Sequence, residues 1–280
     1  MVVPKHYSRR YLREEVLPTA FCPGCFNGVV INALMKAFSE LGIEDLRNYV
    51  FVSGIGCSSW IPSPYIRADS IHTLHGRAVA VATGVKLARP DLNVIVIGGD
   101  GDLASIGGNH LIHAARRNMD LLVIMVNNLV YGMTRGQTSP TTPKGKSTVT
   151  HPYGVFEEPL NIAELLVSTN ANYVARWCIS NFTQLKDSIK EALTKYSRGF
   201  RFIEVIAPCI TYVVRYEGKT PAQKVKELRE VCIPISRYRE LPDIERSKYV
   251  GVGVLKREDR PGYVDAYMEY VRRAKESVIK

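Results

Sequence analysis

Two apolar runs in the middle of the chain each end in side chains that could bind a metal. The run 94–97 leads into Gly-Gly-Asp-Gly-Asp, which contains Asp100, and the run 121–126 leads into a pair of asparagines that ends at Asn128. The helical pattern between them predicts two parallel strands whose carboxyl ends meet at one edge of a sheet. Glycines let the backbone approach a bulky anion, and carboxylate and amide oxygens suit Mg²⁺. The pattern therefore indicates a metal–diphosphate site, whereas the Gly-Asp-Gly alone would indicate a tight turn with a solvated aspartate.

Four cysteines could meet at the same edge of that sheet. Cys57 and Cys209 each follow a predicted strand, and Cys22 and Cys25 begin a predicted helix that is followed by a strand. Four thiolates suit zinc or an iron–sulfur cluster, and the ligand type alone does not choose between them. The Cys-x-x-Cys pair taken alone could equally be a redox dithiol or two unrelated buried thiols.

Two further segments are candidates for contact with a cofactor. His75 lies just before a small-residue helix, where it could hydrogen-bond a phosphate or a reacting carbonyl, although a lone histidine is more often structural. The polar segment 130–143 is long for a connection in a compact domain and directly follows the asparagine pair. Its position favours a loop that folds over the cofactor.

The composition is that of a soluble globular protein. The chain has 280 residues, of which 46% are hydrophobic and 23% charged. No apolar run is long enough to span a membrane and the start does not resemble a signal peptide, so we expect a cytoplasmic protein. In that compartment a disulfide framework is not expected, and Cys178 and Cys232 are interpreted as buried or incidental thiols. The net charge of +10 favours an acidic protein partner, because the basic residues form no nucleic-acid-binding pattern.

Seven short motifs follow one another in an order that is specific when they are taken together. They are Cys22-Pro23-Gly24-Cys25, Gly54-Ile55-Gly56-Cys57-Ser58, His75-Gly76-Arg77-Ala78, Gly99-Asp100-Gly101-Asp102, Asn128, Tyr131-Gly132-Met133-Thr134 and Ser139-Pro140-Thr141-Thr142. Over about residues 20–212 the chain resembles the β subunit of the 2-oxoacid:ferredoxin oxidoreductases, of the archaeal and bacterial pyruvate/2-oxoacid type. The resemblance implies an α/β thiamine diphosphate-binding fold, with a mostly parallel sheet flanked by helices.

The resemblance also implies which residues hold the cofactors. A [4Fe–4S] cluster would be held by Cys22, Cys25, Cys57 and Cys209. Mg²⁺ would be held by Asp100, Asn128 and the carbonyl oxygen of Val130. Thiamine diphosphate would be contacted by Ile55, Gly56, Cys57, Ser58, His75, Gly101, Asp102, Gly132 and Met133, with His75 as the catalytic residue.

The chain is expected to divide into two parts. Residues 1–212 would form the thiamine diphosphate- and [4Fe–4S]-binding α/β domain. Residues 213–280 would form an irregular and helical C-terminal extension, with a last amphipathic helix at about 262–278. This extension could dock a partner subunit or pack back on its own core, and the pattern does not separate the two.

The activity implied by the resemblance is oxidative decarboxylation of a 2-oxo acid with coenzyme A, giving acyl-CoA and CO₂, with electrons passing through the cluster to ferredoxin. An α subunit would complete the thiamine site, in a heterodimer or a dimer of heterodimers, because this sequence offers no carboxylate suited to the aminopyrimidine. One alternative is a non-oxidative thiamine diphosphate-dependent decarboxylase or lyase with a structural metal site. A basic scaffold that binds nucleic acid is the other, although we expect no binding to nucleic acid or membranes.

Three positions depart from the usual pattern of the family. Trp60 stands where members often have a basic or small residue near the substrate, which predicts a pocket for a larger or more apolar side chain. Arg135 replaces a glycine of a Met-Thr-Gly-Gly run, which predicts a different loop. Phe26-Asn27 replaces the more usual Gly-His or Gly-Asn after the second cysteine, which changes the surroundings of the cluster but not its ligands.

Overall fold

The computed structural model describes residues 6–278. The strands are β1 (Tyr49–Ser53), β2 (Asp69–His72), β3 (Asn93–Gly99), β4 (Leu122–Asn127), β5 (Val130–Tyr131), β6 (Gln137–Thr138), β7 (Tyr173–Cys178), β8 (Arg201–Ile206), β9 (Cys232–Pro234) and β10 (Val250–Arg257). The helices are α1 (Asn27–Glu40), α2 (Ala78–Ala88), α3 (Gly108–Arg116), α4 (Ile162–Val167), α5 (Phe182–Leu193), α6 (Pro221–Val231), α7 (Ile235–Glu240), α8 (Asp243–Arg246) and α9 (Tyr263–Val278). Turns of 3₁₀-helix lie at Tyr7–Arg10, Glu14–Val16 and Ser58–Trp60, and turns of π-helix at Gly101–Ile106 and Ile210–Val214. Between residues 6 and 278, no helix is both long and apolar enough to cross a membrane.

The main sheet has the strand order β2-β1-β3-β4-β8-β7-β10-β9. All pairs from β2 to β7 are parallel, whereas β10 runs antiparallel to β7. Apolar, β-branched residues dominate β3 and β4, as expected for parallel strands that are buried on both faces. The expected mostly parallel α/β fold is therefore confirmed, and the carboxyl ends of β1, β3, β4 and β8 lie at one edge.

Two hydrophobic clusters hold this edge in place from opposite faces of the sheet. Successive side chains of a strand point to opposite faces. In β3, accordingly, Ile95 and Ile97 belong to the cluster that contains α1 and α5, whereas Val94 and Val96 belong to the cluster that contains α2, α3 and α4. Both faces of β3 are thus packed up to the point where Asp100 begins.

Part of the C-terminal extension is regular strand, where we expected irregular structure. β10 pairs with both β7 and β9 and so extends the main sheet. Its glycines weaken the strand pattern in the sequence, yet they have a packing reason. A Cβ at Gly251 would lie 2.8 Å from the side chains of Ile235 and Tyr238 in α7. The domain boundary at residue 212 stays a prediction.

A disulfide joins Cys178 to Cys232, which corrects the expectation of two incidental thiols. Cys178 is the last residue of β7 and Cys232 is the first of β9. The two are 54 residues apart in sequence. Because the sequence pattern did not reveal β9, it gave no sign that these cysteines would meet.

Candidate functional site

One pocket, here the carboxyl-edge pocket, opens where β1, β3 and β4 end, and it has a cavity volume of about 140 Å³. Its wall contains every residue that we expected to contact Mg²⁺ or thiamine diphosphate, namely Ile55, Gly56, Cys57, Ser58, His75, Asp100, Gly101, Asp102, Asn128, Val130, Gly132 and Met133. Gly99, Tyr131 and Thr134 complete the wall and had no predicted role. The structure thus brings residues from five separate motifs to one place.

Asp100 is fully buried at the end of β3. The hydroxyls of Ser139 and Thr141 each donate to Oδ2 of Asp100 at 2.6 Å, and the N–H of Asn128 donates to Oδ1 at 3.2 Å. Burial raises the pKa of Asp100, and these hydrogen bonds oppose the rise. A carboxylate removed from water needs a compensating charge, so this environment fits a bound cation.

Two neutral oxygen donors lie beside Asp100 in the same wall. The N–H of Val130 donates to Oδ1 of Asn128 at 3.1 Å, and Leu129 between them has a left-handed φ of 69°. This turn keeps the amide of Asn128 and the backbone of Val130 at the pocket. A carboxylate, an amide and a carbonyl are oxygen ligands of the kind that Mg²⁺ takes.

The carboxylate of Asp102 is directed at His75 and at backbone amides. Its Oδ1 lies 3.0 Å from Nδ1 of His75 and accepts hydrogen bonds from the N–H groups of Gly76 at 2.7 Å and Ile55 at 3.2 Å. Its Oδ2 is buried without a hydrogen-bond partner among the residues described. Burial raises the pKa of Asp102, and the hydrogen bonds from Gly76 and Ile55 lower it. Since the carbonyl of Ile55 also lies 3.3 Å from Nδ1, this nitrogen carries the proton and Nε2 is left free to accept one.

Two glycines of the pocket are required for different reasons. Gly56 has a φ of 135°, which side chains rarely adopt, and a Cβ there would meet no atom within 4 Å. Its backbone therefore faces open space in the pocket, as a cradle for a ligand would. At Gly101, by contrast, a Cβ would lie 2.4 Å from the ring of Tyr131, so packing within the protein already excludes a side chain.

All four cysteines that we expected as ligands line a second pocket, here the cysteine pocket. Cys57 follows β1, Cys209 follows β8, and Cys22 and Cys25 precede α1. Cys22 is exposed and the other three are partly buried. The remaining wall is mainly apolar, with Phe21, Phe26, Trp60, Met133, Ile210 and Tyr212 among its residues.

The electrostatics of the cysteine pocket favour neutral thiols when nothing is bound. Burial raises the pKa of Cys25 and of Cys57 to about 11, and it also raises that of Cys209. Several thiolates in this apolar pocket would also repel one another. A metal centre offsets both the cost of burying thiolates and their mutual repulsion, because its positive charge stabilises the deprotonated ligands.

Four cysteines in one pocket are a ligand set that suits zinc or an iron–sulfur cluster. Four thiolates around one zinc at its usual bond length would lie about 3.8 Å from one another. Between residues 6 and 278, no three cysteine, histidine or acidic side chains are grouped tightly enough to hold one ion.

The two pockets share a wall. Cys57, Asn128, Gly132 and Met133 line both of them. A Cβ at Gly132 would lie 3.4 Å from Sγ of Cys209, 3.4 Å from Nδ2 of Asn128 and 3.9 Å from Sγ of Cys57. Gly132 thus lets an oxygen-donor site and a sulfur-donor site approach each other with only one layer of residues between them.

The three departures from the family pattern fall at different places. Trp60 lines the cysteine pocket and not the carboxyl-edge pocket. Arg135 is exposed and has a left-handed φ of 89°, the backbone of a glycine position. Phe26 is buried, and Asn27 accepts a hydrogen bond from the hydroxyl of Ser58 at 3.3 Å.

A set of buried polar residues lies behind Asp100, namely Asn127, Ser139, Thr141, Arg176 and Glu204. Sequence reasoning included Asn127, Ser139 and Thr141 in its motifs without giving them a role, and it missed Arg176 and Glu204. A signal was present, because Arg176 and Glu204 each interrupt an otherwise apolar strand. Their partners lie on other strands or on a loop, so the sequence could not connect them.

Comparisons with known proteins agree with this geometry. Residues 54–205 match the thiamine pyrophosphate enzyme C-terminal TPP binding domain, more than half of the chain. Of the four cysteines only Cys57 falls within that match, so most of the cysteine pocket is built outside it.

Similar proteins cover nearly the whole chain. It is 45% identical to the 2-oxoglutarate synthase subunit KorB of Methanocaldococcus jannaschii over 271 residues, which cover 96% of this chain and 99% of the relative. It is 50% identical to the corresponding subunit of Methanothermobacter marburgensis over 225 residues, covering 80% and 78%. A solved 2-oxoglutarate:ferredoxin oxidoreductase from Magnetococcus marinus, with 2-oxoglutarate, coenzyme A and succinyl-CoA bound, superimposes with a TM-score of 0.83 at 31% identity, covering 98% and 92%. The resemblance predicted from the motifs is confirmed, and the chain belongs to the β subunits of the thiamine diphosphate-dependent 2-oxoacid:ferredoxin oxidoreductases.

Proposed function

We propose that this chain, with a partner α subunit, oxidatively decarboxylates a 2-oxo acid with coenzyme A and passes the electrons to ferredoxin. The observation that carries the proposal is the wall shared by the carboxyl-edge pocket and the cysteine pocket. Bound thiamine diphosphate supplies a carbon nucleophile and an electron sink for decarboxylation. An electron acceptor across the shared wall then gives the electrons a short route out.

Mg²⁺ would be held by Asp100, Asn128 and the carbonyl of Val130. The complete burial of Asp100 supports this assignment, because an unpaired anion there would be costly. Without a cation, Asp100 would also repel a diphosphate. The backbone around Gly56 and the side chain of Ser58 would contact the cofactor from the opposite wall.

A [4Fe–4S] cluster would be held by Cys22, Cys25, Cys57 and Cys209. Their common pocket and its mainly apolar surroundings support this assignment. Such clusters accept one electron at a time, at a potential set by burial and hydrogen bonding. The hydroxyl of Thr211, 3.6 Å from Sγ of Cys22, is in reach to donate one such bond.

His75 is the residue that we propose for proton transfer in the carboxyl-edge pocket. Asp102 fixes the proton on Nδ1, which leaves Nε2 to take up or release a proton. The resemblance implies that Asp102 contacts the cofactor, but the contacts of Asp102 support a role in positioning His75 instead. A carboxylate directed at a histidine and two amides is poorly placed to bind a diphosphate.

The substrate is proposed to be bound largely by the α subunit. None of the residues lining the carboxyl-edge pocket in the described chain is lysine or arginine. The two relatives described above are named for 2-oxoglutarate, whose second carboxylate needs a cationic partner. We therefore propose 2-oxoglutarate as the first substrate to test, with that cation supplied by the partner. The larger or more apolar substrate predicted from Trp60 is the second.

Ferredoxin is the proposed electron acceptor and coenzyme A the acyl acceptor. The net charge of +10 supports an acidic carrier, because opposite charges steer association. The assembly would be a heterodimer or a dimer of heterodimers, in the cytoplasm.

The test is an anaerobic assay of the chain co-expressed with its α subunit. We expect reduction of ferredoxin or methyl viologen that requires a 2-oxo acid, coenzyme A and thiamine diphosphate together. Release of an aldehyde without reduction of the acceptor would instead support a non-oxidative lyase. A cofactor-free protein that binds nucleic acid in a salt-sensitive way would overturn both.

A further inference from the structure

Three buried polar side chains continue the hydrogen-bonded chain that begins at Asp100. On the face of the sheet covered by α2, α3 and α4, β4 is apolar through Val123 and Met125. The next position on this face, toward the carboxyl edge, is Asn127. Glu204 of β8 is the register partner of both Met125 and Arg176 of β7. The apolar layer therefore ends in a polar layer directly behind the metal–diphosphate site.

The hydrogen bonds of this layer are continuous. Nε of Arg176 donates to Oε2 of Glu204 at 2.7 Å, and Nδ2 of Asn127 donates to Oε1 of Glu204 at 2.7 Å. Because Nδ2 of Asn127 is thereby directed at Glu204, its Oδ1 points the other way. There it lies 2.9 Å from the hydroxyl of Thr141, which lies 2.6 Å from Oδ2 of Asp100.

This arrangement is hard to explain by stability alone. The side chains of Arg176 and Glu204 are 9% and 3% exposed. Removing such an ion pair from water costs several kcal/mol per ion, and packed apolar residues often stabilise as well or better. A role in orienting a neighbouring side chain explains this buried ion pair better.

What they fix is the loop that carries Thr141. Asn127 Oδ1 also accepts from the N–H of Leu129 at 3.2 Å, so one amide holds both the strand end and the returning loop. The hydroxyl of Thr141 shares its single proton, in a three-centre hydrogen bond, between Oδ2 of Asp100 at 2.6 Å and Oδ1 of Asn127 at 2.9 Å. It therefore donates to Asp100 in a direction set by the position of the loop.

We propose that Thr141 and Glu204 are positioning residues for Asp100, and that the relay Arg176–Glu204–Asn127–Thr141 sets the affinity of the site for its divalent cation. The inference rests on the proposed function, in which Asp100 binds Mg²⁺. It assigns a role to residues of β7 and β8 that touch neither cofactor nor substrate.

The first test compares Thr141→Val, which keeps the shape and removes the hydroxyl, with Thr141→Ser, which keeps the hydroxyl. The complex of this chain with its α subunit is first stripped of divalent cation. Mg²⁺ is then titrated into it in the presence of excess thiamine diphosphate, and binding is followed by calorimetry. We expect Thr141→Val to weaken Mg²⁺ binding about 10- to 100-fold, as loss of a residue that orients a metal ligand typically does, and Thr141→Ser to stay near wild type. Equal affinity in both variants and wild type would overturn the role of Thr141.

The second test distinguishes the hydrogen bond that Glu204 accepts from Asn127 from the ion pair that Glu204 forms with Arg176. Glu204→Gln alone leaves the charge of Arg176 unpaired and is expected to destabilise the fold. The double variant Arg176→Met with Glu204→Leu removes both charges and leaves Asn127 without its acceptor. We expect this variant to fold and bind Mg²⁺ more weakly than wild type, and a folded variant with wild-type affinity would overturn the relay. Wild-type protein that binds no Mg²⁺ would contradict the proposed function rather than the relay.

Discussion

Which nitrogen of His75 carries a proton is decided by one carboxylate. Asp102 lies 3.0 Å from Nδ1, and among residues 6–278 no other side chain lies within hydrogen-bond distance of its carboxylate. The neighbouring amides of Ile55 and Gly76 hold the carboxylate still. The chemistry of His75 therefore depends on a residue that need not touch the cofactor.

Asp102→Asn tests this dependence. Asparagine is nearly isosteric, and its oxygen can still accept from all three donors, because they meet at Oδ1. The variant therefore removes the negative charge beside His75 and places an NH₂ group where Oδ2 has no partner. We expect turnover of the complete enzyme to fall by about 100-fold or more, the usual contribution of a positioned acid–base group, with thiamine diphosphate bound as in wild type. Loss of cofactor binding at unchanged turnover per bound cofactor would instead make Asp102 a cofactor ligand.

The backbone of Arg135 is strained. Its φ of 89° lies in the region that favours glycine, and Gly136 beside it has a φ of 95° with the ring of Tyr212 packed against it. We expect Arg135→Gly to raise the free energy of unfolding by about 1 kcal/mol, the usual scale of such strain. Urea denaturation measures it, with Arg135→Ala as the control that keeps a Cβ and should bring no gain.

The sequence could predict single residues only where a motif carries them. Asp100 and Asn128 were recognisable because each follows an apolar run. The hydrogen bonds of Ser139 and Thr141 to Asp100 were not, because they require the loop after β6 to fold back over β3 and β4. The contact of Asp102 with His75 likewise could not be predicted, because it depends on where the ends of β2 and β3 lie in the sheet.

At the scale of elements, Glu40 links α1 to α5. Its Oε2 lies 2.7 Å from Nζ of Lys186 and 2.8 Å from Nζ of Lys190. Hydrogen bonds from Lys186 and Lys190 lower the pKa of Glu40 to about 2. Since the folded-state pKa is depressed below the ordinary 4.5, the stabilisation is complete above that value and is lost as the pH falls toward 2.

Glu40→Gln should therefore be destabilising only where the carboxylate is ionised. The carboxylate is partly exposed, so we expect a loss of about 1 kcal/mol at pH 7, shrinking steadily below pH 4.5. Denaturation of variant and wild type across this range measures the difference. A difference that is constant with pH would mean that packing, not charge, accounts for the loss.

The Cys178–Cys232 disulfide ties the end of β7 to β9 across 54 residues. In a chain-entropy estimate a cross-link of this length stabilises by about 4 kcal/mol, with strain and residual structure reducing the figure. We expect Cys232→Ala to melt well below the oxidised wild type, and added reductant to leave the variant unchanged. A variant with the melting temperature of wild type would show that the bond contributes nothing.

Element prediction succeeded where the apolar pattern was strong. The strands β1, β3, β4 and β8 all carry β-branched or aromatic residues without interruption by glycine in their centres. It failed for β10, whose glycines make room for α7, and for β9, which is only three residues long. Both are tertiary effects that override local propensity.

For the whole molecule, the decisive feature is that chain segments far apart in sequence build two adjoining pockets. The sequence predicted that the oxygen-donor residues and the four cysteines would lie at one sheet edge, because the carboxyl ends of parallel strands lie on the same side of a sheet. Strand order could not be predicted, so the wall shared through Gly132 could not be either. That wall brings the sulfur-donor site within reach of the oxygen-donor site.

The most direct measurement is the metal and sulfide content of the complex purified without oxygen. We expect about four irons and four acid-labile sulfides per β chain, the content of one cubane cluster. Cys25→Ser or Cys209→Ser should lower both while thiamine diphosphate still binds, because neither cysteine lines the carboxyl-edge pocket. Zinc in place of iron, or a metal-free protein that turns over and reduces ferredoxin, would contradict a cluster in the cysteine pocket.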